Sequence, residues 1–270
     1  MLRGIDHLVI AVPDLDVAAD ELADALGIAF TAGGSHPGAG TRNRIAFLGE
    51  AYLELIGVED EALAAERPIG DAALRALAAD GGLATYALLA DDLELTVAEL
   101  RANGSHLGPV QHGARQRPDG EVVEWWTATF DHLGPDAPPF LIRHAEVGAE
   151  WGVAALRDRR AFRHPIGSPV SLVRLDLAAA DPPSLAADYQ RELGVELWSV
   201  ADLAVASIGP HTVRLRPIAE MPVPAIVVLG AVVDVPLSLT TLGLRFDVEP
   251  VSAALHPEDA ELRVRNRGVE

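Results

Sequence analysis

The chain predicts an α+β fold of repeated βαβββ modules, paired into a curved mixed sheet around a cavity. A pattern of strand, acidic cap, helix and glycine occurs three times along its 270 residues, and each copy is followed by further short strand-like stretches. One such module cannot bury both faces of its own sheet. Its helix covers one face, and the other must meet a second module or a ligand.

The first copy opens with the apolar run Ile5-Asp6-His7-Leu8-Val9-Ile10-Ala11-Val12. Pro13-Asp14 supplies a turn and a cap, Leu15 to Leu26 carries apolar residues at helical spacing, and Gly27 ends the helix. The second copy is Leu83 to Ala90, Asp91-Asp92, a helix from Leu93 to Ala102, then Asn103-Gly104. The third is Val170 to Leu177, Asp181-Pro182-Pro183, a helix from Ser184 to Leu193, then Gly194. Strands expected after the glycines are Phe30 to Gly34, Arg44 to Leu48 and Tyr52 to Gly57 in the first copy. In the second they are Gly108 to His112, Val122 to Phe130 and Phe140 to His144, and in the third Glu196 to Val200, Leu203 to Ile208 and Thr212 to Pro217. The tail adds two strand candidates, Ile226 to Val233 and Leu242 to Val248, with no helix between them. Arg163 to Pro169 reads as a linker, giving an expected two-module domain over 1–150 and a third module with two extra strands over 165–270.

A hydrophobic content of 49% with 23% charged residues suits a globular protein. No apolar run approaches the roughly 20 residues that span a bilayer, and the N-terminus lacks a signal-peptide pattern, so a cytoplasmic location is expected. The net charge of −19 repels phosphate backbones and anionic lipid, which argues against nucleic-acid and membrane partners. Cysteine is absent and every basic residue is arginine, so thiol and lysine Schiff-base chemistry are excluded. Histidine, carboxylates, hydroxyls and arginine remain.

The module order, with Ile5-Asp6-His7-Leu8-Val9, His36 to Asn43 and Tyr52-Leu53-Glu54-Leu55-Ile56-Gly57, resembles the vicinal-oxygen-chelate superfamily, closest to its glyoxalase-like branch. Arg117 to Gly120, Trp125-Trp126 and Pro139 to Ile142 match in the second module. The resemblance implies metal ligands on the first and fourth strands of a module, where His7 and Glu54 stand. Alternation puts both on one face of their strands, and a carboxylate within Leu-Glu-Leu-Ile needs a partner. A divalent ion (zinc, iron, manganese or nickel) would satisfy it; so would a His7–Glu54 hydrogen bond without metal. At the matching positions the second module has Thr85 and Leu141 or Ile142, and the third has Arg174 and Arg214, which hold an anion or form ion pairs.

His36 and His112 follow the helix-ending glycines at similar offsets, so pseudo-symmetry brings them toward one cavity as candidate bases or ligands. His144 ends a strand and is a weaker candidate. Thr41 and Asn43, after a glycine-rich turn, are candidate substrate contacts, as are Trp125 and Trp126, which point to opposite faces of one strand. The expected function is a metal-assisted enzyme that polarises a carbonyl or hydroxyl oxygen of a small molecule while Glu54 or a histidine moves a proton, as a lyase, isomerase or dioxygenase. The alternatives are a non-catalytic protein that sequesters a small molecule and a module whose cavity mediates a homodimer.

Overall fold

Each acidic residue read as a cap closes the helix it precedes. Asp14 accepts from the backbone N–H groups of Asp16 and Val17, Asp92 from Leu95, and Asp181 from Ser184. Such a cap stabilises a helix by about 1 kcal/mol. These interactions come from a computed structural model that describes residues 1–117, 119–200 and 202–251.

The first module comprises β1 (Leu2–Ala11), α1 (Leu15–Leu26), β2 (Gly34–His36), β3 (Thr41–Leu48) and β4 (Ala51–Val58). Two helices, α2 (Glu61–Ala65) and α3 (Pro68–Leu77), lead to the second: β5 (Gly82–Ala90), α4 (Leu93–Ala102), β6 (Gln111–Gln116), β7 (Val122–Ala128) and β8 (Phe140–His144). Then come α5 (Gly148–Trp151) and α6 (Val153–Ala161). The third module is β9 (Val170–Ala179), α7 (Pro182–Leu193), β10 (Trp198–Val200), β11 (Leu203–Ile208) and β12 (His211–Pro217). Three strands follow: β13 (Ala225–Ala231), β14 (Leu237–Thr241) and β15 (Leu244–Pro250).

The first two modules form a closed mixed barrel in the order β1-β4-β3-β2-β6-β7-β8-β5. Closure rests on the short β2–β6 pairing of Ser35 with Gln116. The remaining strands repeat the same order, β10-β11-β12-β9-β13-β15-β14, and stop one strand short. β13 pairs antiparallel with β9 as β5 does with β1, so β13 heads a fourth module. Among the described residues that module keeps β14 and β15 in the places of β7 and β8 but has no helix and no counterpart of β6, and its sheet stays open. One continuous apolar core joins the two sheets through residues such as Leu8, Ile10, Leu88, Leu175 and Val213. Tyr86 of β5 and Tyr189 of α7 meet hydroxyl to hydroxyl at 2.7 Å across this junction.

Several expected strands move. Strand β2 begins at Gly34 rather than Phe30, and β6 at Gln111 rather than Gly108. The tail holds three strands, not two: β14 lies ahead of the expected run Leu242–Val248, whose first two residues form the turn into β15. Leu242 and Gly243 both have positive φ (52° and 67°), the conformation of a two-residue hairpin loop between β14 and β15. The helices over 61–77 and 148–161 were not expected. Asp60 caps the first by accepting from Leu63 N–H, and Pro68 starts the second in the position proline favours.

Candidate functional site

Inside the barrel, β1 and β4 run parallel with His7 beside Tyr52 and Val9 beside Glu54. His7 and Glu54 therefore share the interior face, and their side chains meet: His7 Nε2 lies 3.5 Å from Glu54 Oε2. His7 is 3% and Glu54 9% exposed. Asn43 of β3 donates to Glu54 Oε1 at 2.6 Å. On its other side His7 Nδ1 donates to Asp6 Oδ1 at 2.7 Å. A register shift between Ile5 and His7 interrupts the β1–β5 ladder at Asp6.

His144 Nε2, from β8, donates to the same Asp6 oxygen at 3.0 Å. Burial pushes the Asp6 carboxyl up, yet the two imidazoles outweigh it and hold Asp6 well below the ordinary aspartate value. Asp6 is thus an anion that fixes both rings. Burial keeps His144 below the usual histidine value although Asp6 opposes it, and its Nδ1 is buried without a partner among the described residues. Tyr52 stacks on His7 at 4.5 Å and the edge of Phe140 approaches at 5.5 Å, so the imidazole is held on every side.

His36 faces the same interior. Its Nδ1 lies 2.9 Å from the Thr41 hydroxyl, and Trp125 meets it edge-on at 5.8 Å. Burial holds His36 below the ordinary imidazole value, with Glu54 pulling the other way and Arg115 adding to the depression. Arg115 of β6 is 3% exposed and pairs with Glu150 at 2.5 Å. Its stem passes over Gly34, where a Cβ would stand 2.8 Å from Arg115 Cδ, so glycine there makes the passage possible. The mouth is covered by α5 and α6. Trp151 stacks on His144 at 3.4 Å and packs with Ile45, Tyr52 and Val123.

The structure thus brings His7, Glu54, His36, Thr41, Asn43 and Trp125 together. It does not bring His112 or Trp126 to them. On β6, Gly113 lies against the Trp125 ring and Arg115 is buried in the interior, so alternation turns His112 outward, where it pairs with exposed Glu124 at 2.9 Å. Trp126 lies on that outer face under the Arg143 guanidinium at 4.4 Å, beside His112. The position matching Glu54 in the second module is Phe140 rather than Leu141 or Ile142, because Ala87 pairs with Phe140 as Val9 pairs with Glu54. In the third module the match to Arg214 holds, since Asp176 pairs with Arg214 in the same register. Asp6, Arg115, Glu150 and Trp151 were not singled out in the sequence. Asp6 carries the signal used for Glu54, a carboxylate inside an apolar strand.

The donors do not fit a metal held by the three protein ligands usual at catalytic zinc. His7 and Glu54 supply two, Asn43 already engages Glu54, and the matching second-module positions are Thr85 and Phe140. Among the described residues no three His, Asp or Glu side chains are placed to hold an ion.

A closed barrel of two βαβββ modules is the vicinal-oxygen-chelate, glyoxalase-like fold. The model of the glyoxalase-like domain matches residues 5–193, and the chain belongs to that family. Among solved structures, a hypothetical protein from Staphylococcus aureus is 17% identical with a TM-score of 0.76, covering 93% of this chain and 100% of that one. A Streptomyces coelicolor methylmalonyl-CoA epimerase is 19% identical over 54% of this chain and 98% of its own, with a TM-score of 0.40. The Mycobacterium tuberculosis epimerase is 23% identical over 47% and 78%, at 0.34. No curated protein sequence matches the chain. No helix among the described residues is long and apolar enough to cross a membrane.

Proposed function

We propose that this protein is a small-molecule enzyme that moves a proton on a carbon next to a carbonyl, as an isomerase or lyase does, with His7 and Glu54 handling the proton. The observation that carries this reading is the chain Asp6–His7–Glu54 inside the barrel. A carboxylate that accepts the Nδ1 proton fixes the tautomer of His7 and leaves the Nε2 lone pair free, the arrangement of an oriented general base. That lone pair faces Glu54 across 3.5 Å, longer than a good hydrogen bond. The C–H bond breaks toward this pair, its electrons move onto the carbonyl oxygen as an enolate, and a proton returns to the same or a neighbouring atom. His36, which burial holds below the ordinary imidazole value, donates or accepts the second proton. Asn43 keeps Glu54 aimed, and burial strengthens the electrostatic interactions among these groups. No step uses a metal.

The test is proton exchange in D₂O, followed by NMR, with a set of small 2-substituted carboxylic acids and ketones. The wild type should exchange the hydrogen next to the carbonyl in at least one of them, and His7→Gln should be slower by about 10²–10⁴-fold. Exchange by no compound, or at an undiminished rate in His7→Gln, would favour the sequestering alternative.

A further inference from the structure

The barrel site is sealed by a segment that is not part of the barrel. Glu150 and Trp151 sit on the short helix α5, flanked by Gly148 and Gly152, and no strand pairing depends on them. Yet the Glu150 carboxylate pairs with buried Arg115 and, at 3.0 Å, with Arg117. Among the described residues no other acidic side chain pairs with Arg115. The adjacent Trp151 ring lies flat on His144 at 3.4 Å, beside an Nδ1 atom that has no partner among the described residues. Thr85 Oγ1, on the strand next to β1, is also buried and has no partner among the described residues. The segment is fastened to the barrel by its own Arg159, on α6, which lies over Phe47 at 4.0 Å and over Trp151 at 4.4 Å and donates to the backbone carbonyl of Glu50. Burial draws the Arg159 guanidinium down to about 10, and its Nε has no partner among the described residues, so this fastening is an imperfect one.

A buried guanidinium needs an anion at all times. If the segment lifts to admit a substrate, Arg115 loses Glu150, and the incoming molecule must replace it. We propose that α5 and α6 form a lid whose Glu150 and Trp151 occupy the substrate's place. The natural ligand then carries a carboxylate, which takes the position of Glu150 on Arg115, and a flat ring or unsaturated group, which takes the position of Trp151 on His144. This rests on the reading of the barrel as a small-molecule site and names the class of molecule it takes. The lid sets a competition: every ligand binds against an internal carboxylate, so weakening that carboxylate raises apparent affinity.

The experiment is isothermal titration of the full chain with phenylacetate, 3-phenylpropionate and malonate, each beside its neutral amide, for wild type, Glu150→Gln and Arg115→Met. Glu150→Gln should bind at least one acid about ten-fold more tightly than wild type does and should prefer the acid over its amide. Arg115→Met should lose that preference. Should Arg115→Met fail to fold, amide hydrogen exchange in Glu150→Gln replaces it: residues 148–161 should exchange faster than in wild type while β1 and β4 stay protected. The proposal is overturned if no acid outbinds its amide in Glu150→Gln, or if exchange in 148–161 is unchanged there. Because the titration needs no turnover, its failure leaves the proton-transfer reading standing, and a failed exchange assay with substrates leaves this one standing.

Discussion

The two halves of the molecule present the same pair of strand positions with opposite chemistry. In register, the pairs are His7 with Glu54, Thr85 with Phe140, Arg174 with Arg214, and Ile226 with Asp247. The first pair lies in a closed, lidded barrel, where a buried Asp6 anion orients its imidazole. The third lies on the face of an open sheet, where Arg174 pairs with Asp176 at 2.9 Å and reaches toward Glu249 at 3.7 Å. Arg214 Nε is buried there with no partner among the described residues. Burial raises Asp176 above the ordinary aspartate value despite the arginines, whereas Asp6 is lowered despite deeper burial. One backbone plan therefore yields a buried, hydrogen-bonded cluster of carboxylates and imidazoles where the sheet closes and a loosely paired charged face where it does not. The fold sets the positions, and the side chains and closure set the chemistry.

The largest expected difference between the halves is in stability. Asp6→Asn removes the anion shared by His7 and His144 and should cost about 3 kcal/mol or more in urea unfolding at neutral pH. Asp176→Asn should cost about 1 kcal/mol or less, because Arg174 is partly exposed and can turn to Glu249. Equal losses would remove the contrast drawn here.

The junction of the halves is expected to respond to acid. His211 of β12 accepts the Ile5 N–H at 2.9 Å, and burial draws its imidazole down to about 4. A depressed folded value means that the unfolded chain takes up the proton first. Stability contributed by neutral His211 should be present in full above the ordinary value of 6.5 and be lost as pH falls toward about 4, by about 3 kcal/mol. Buried His36 and His144 act in the same direction. Unfolding curves between these pH values should be flatter for His211→Gln; an unchanged slope would show that the imidazole is not the source. Smaller still, Arg214→Met should change stability by no more than about 1 kcal/mol, since its Nε has no hydrogen bond among the described residues to lose.

Much of this was legible in the sequence wherever local signals and tertiary needs agree. The Asp14, Asp92 and Asp181 caps and the strand of His7 are set by neighbours in the chain, and alternation alone put His7 and Glu54 on one face. The position of His112 was not legible: it follows Gly104 by eight residues where His36 follows Gly27 by nine, and in a strand one residue turns a side chain to the opposite face, so Gly113 takes the inward place. Closure of one sheet and not the other depends on Ser35 meeting Gln116, a pairing between distant residues that no local pattern marks. The lid was hidden for a similar reason: Glu150 and Trp151 gain meaning only from Arg115 and His144 on other strands.

The central claim is that proton chemistry belongs to the barrel pair and not to its counterpart in the open sheet. It is tested by measuring proton exchange next to a carbonyl, in D₂O and on one responsive compound, for wild type, Glu54→Gln and Arg214→Met side by side, before and after dialysis against EDTA. The account predicts that Glu54→Gln falls by about 10²–10⁴-fold, while Arg214→Met and the dialysed wild type stay within about two-fold. Activity that survives Glu54→Gln, or that disappears with Arg214→Met or with chelation, would contradict it.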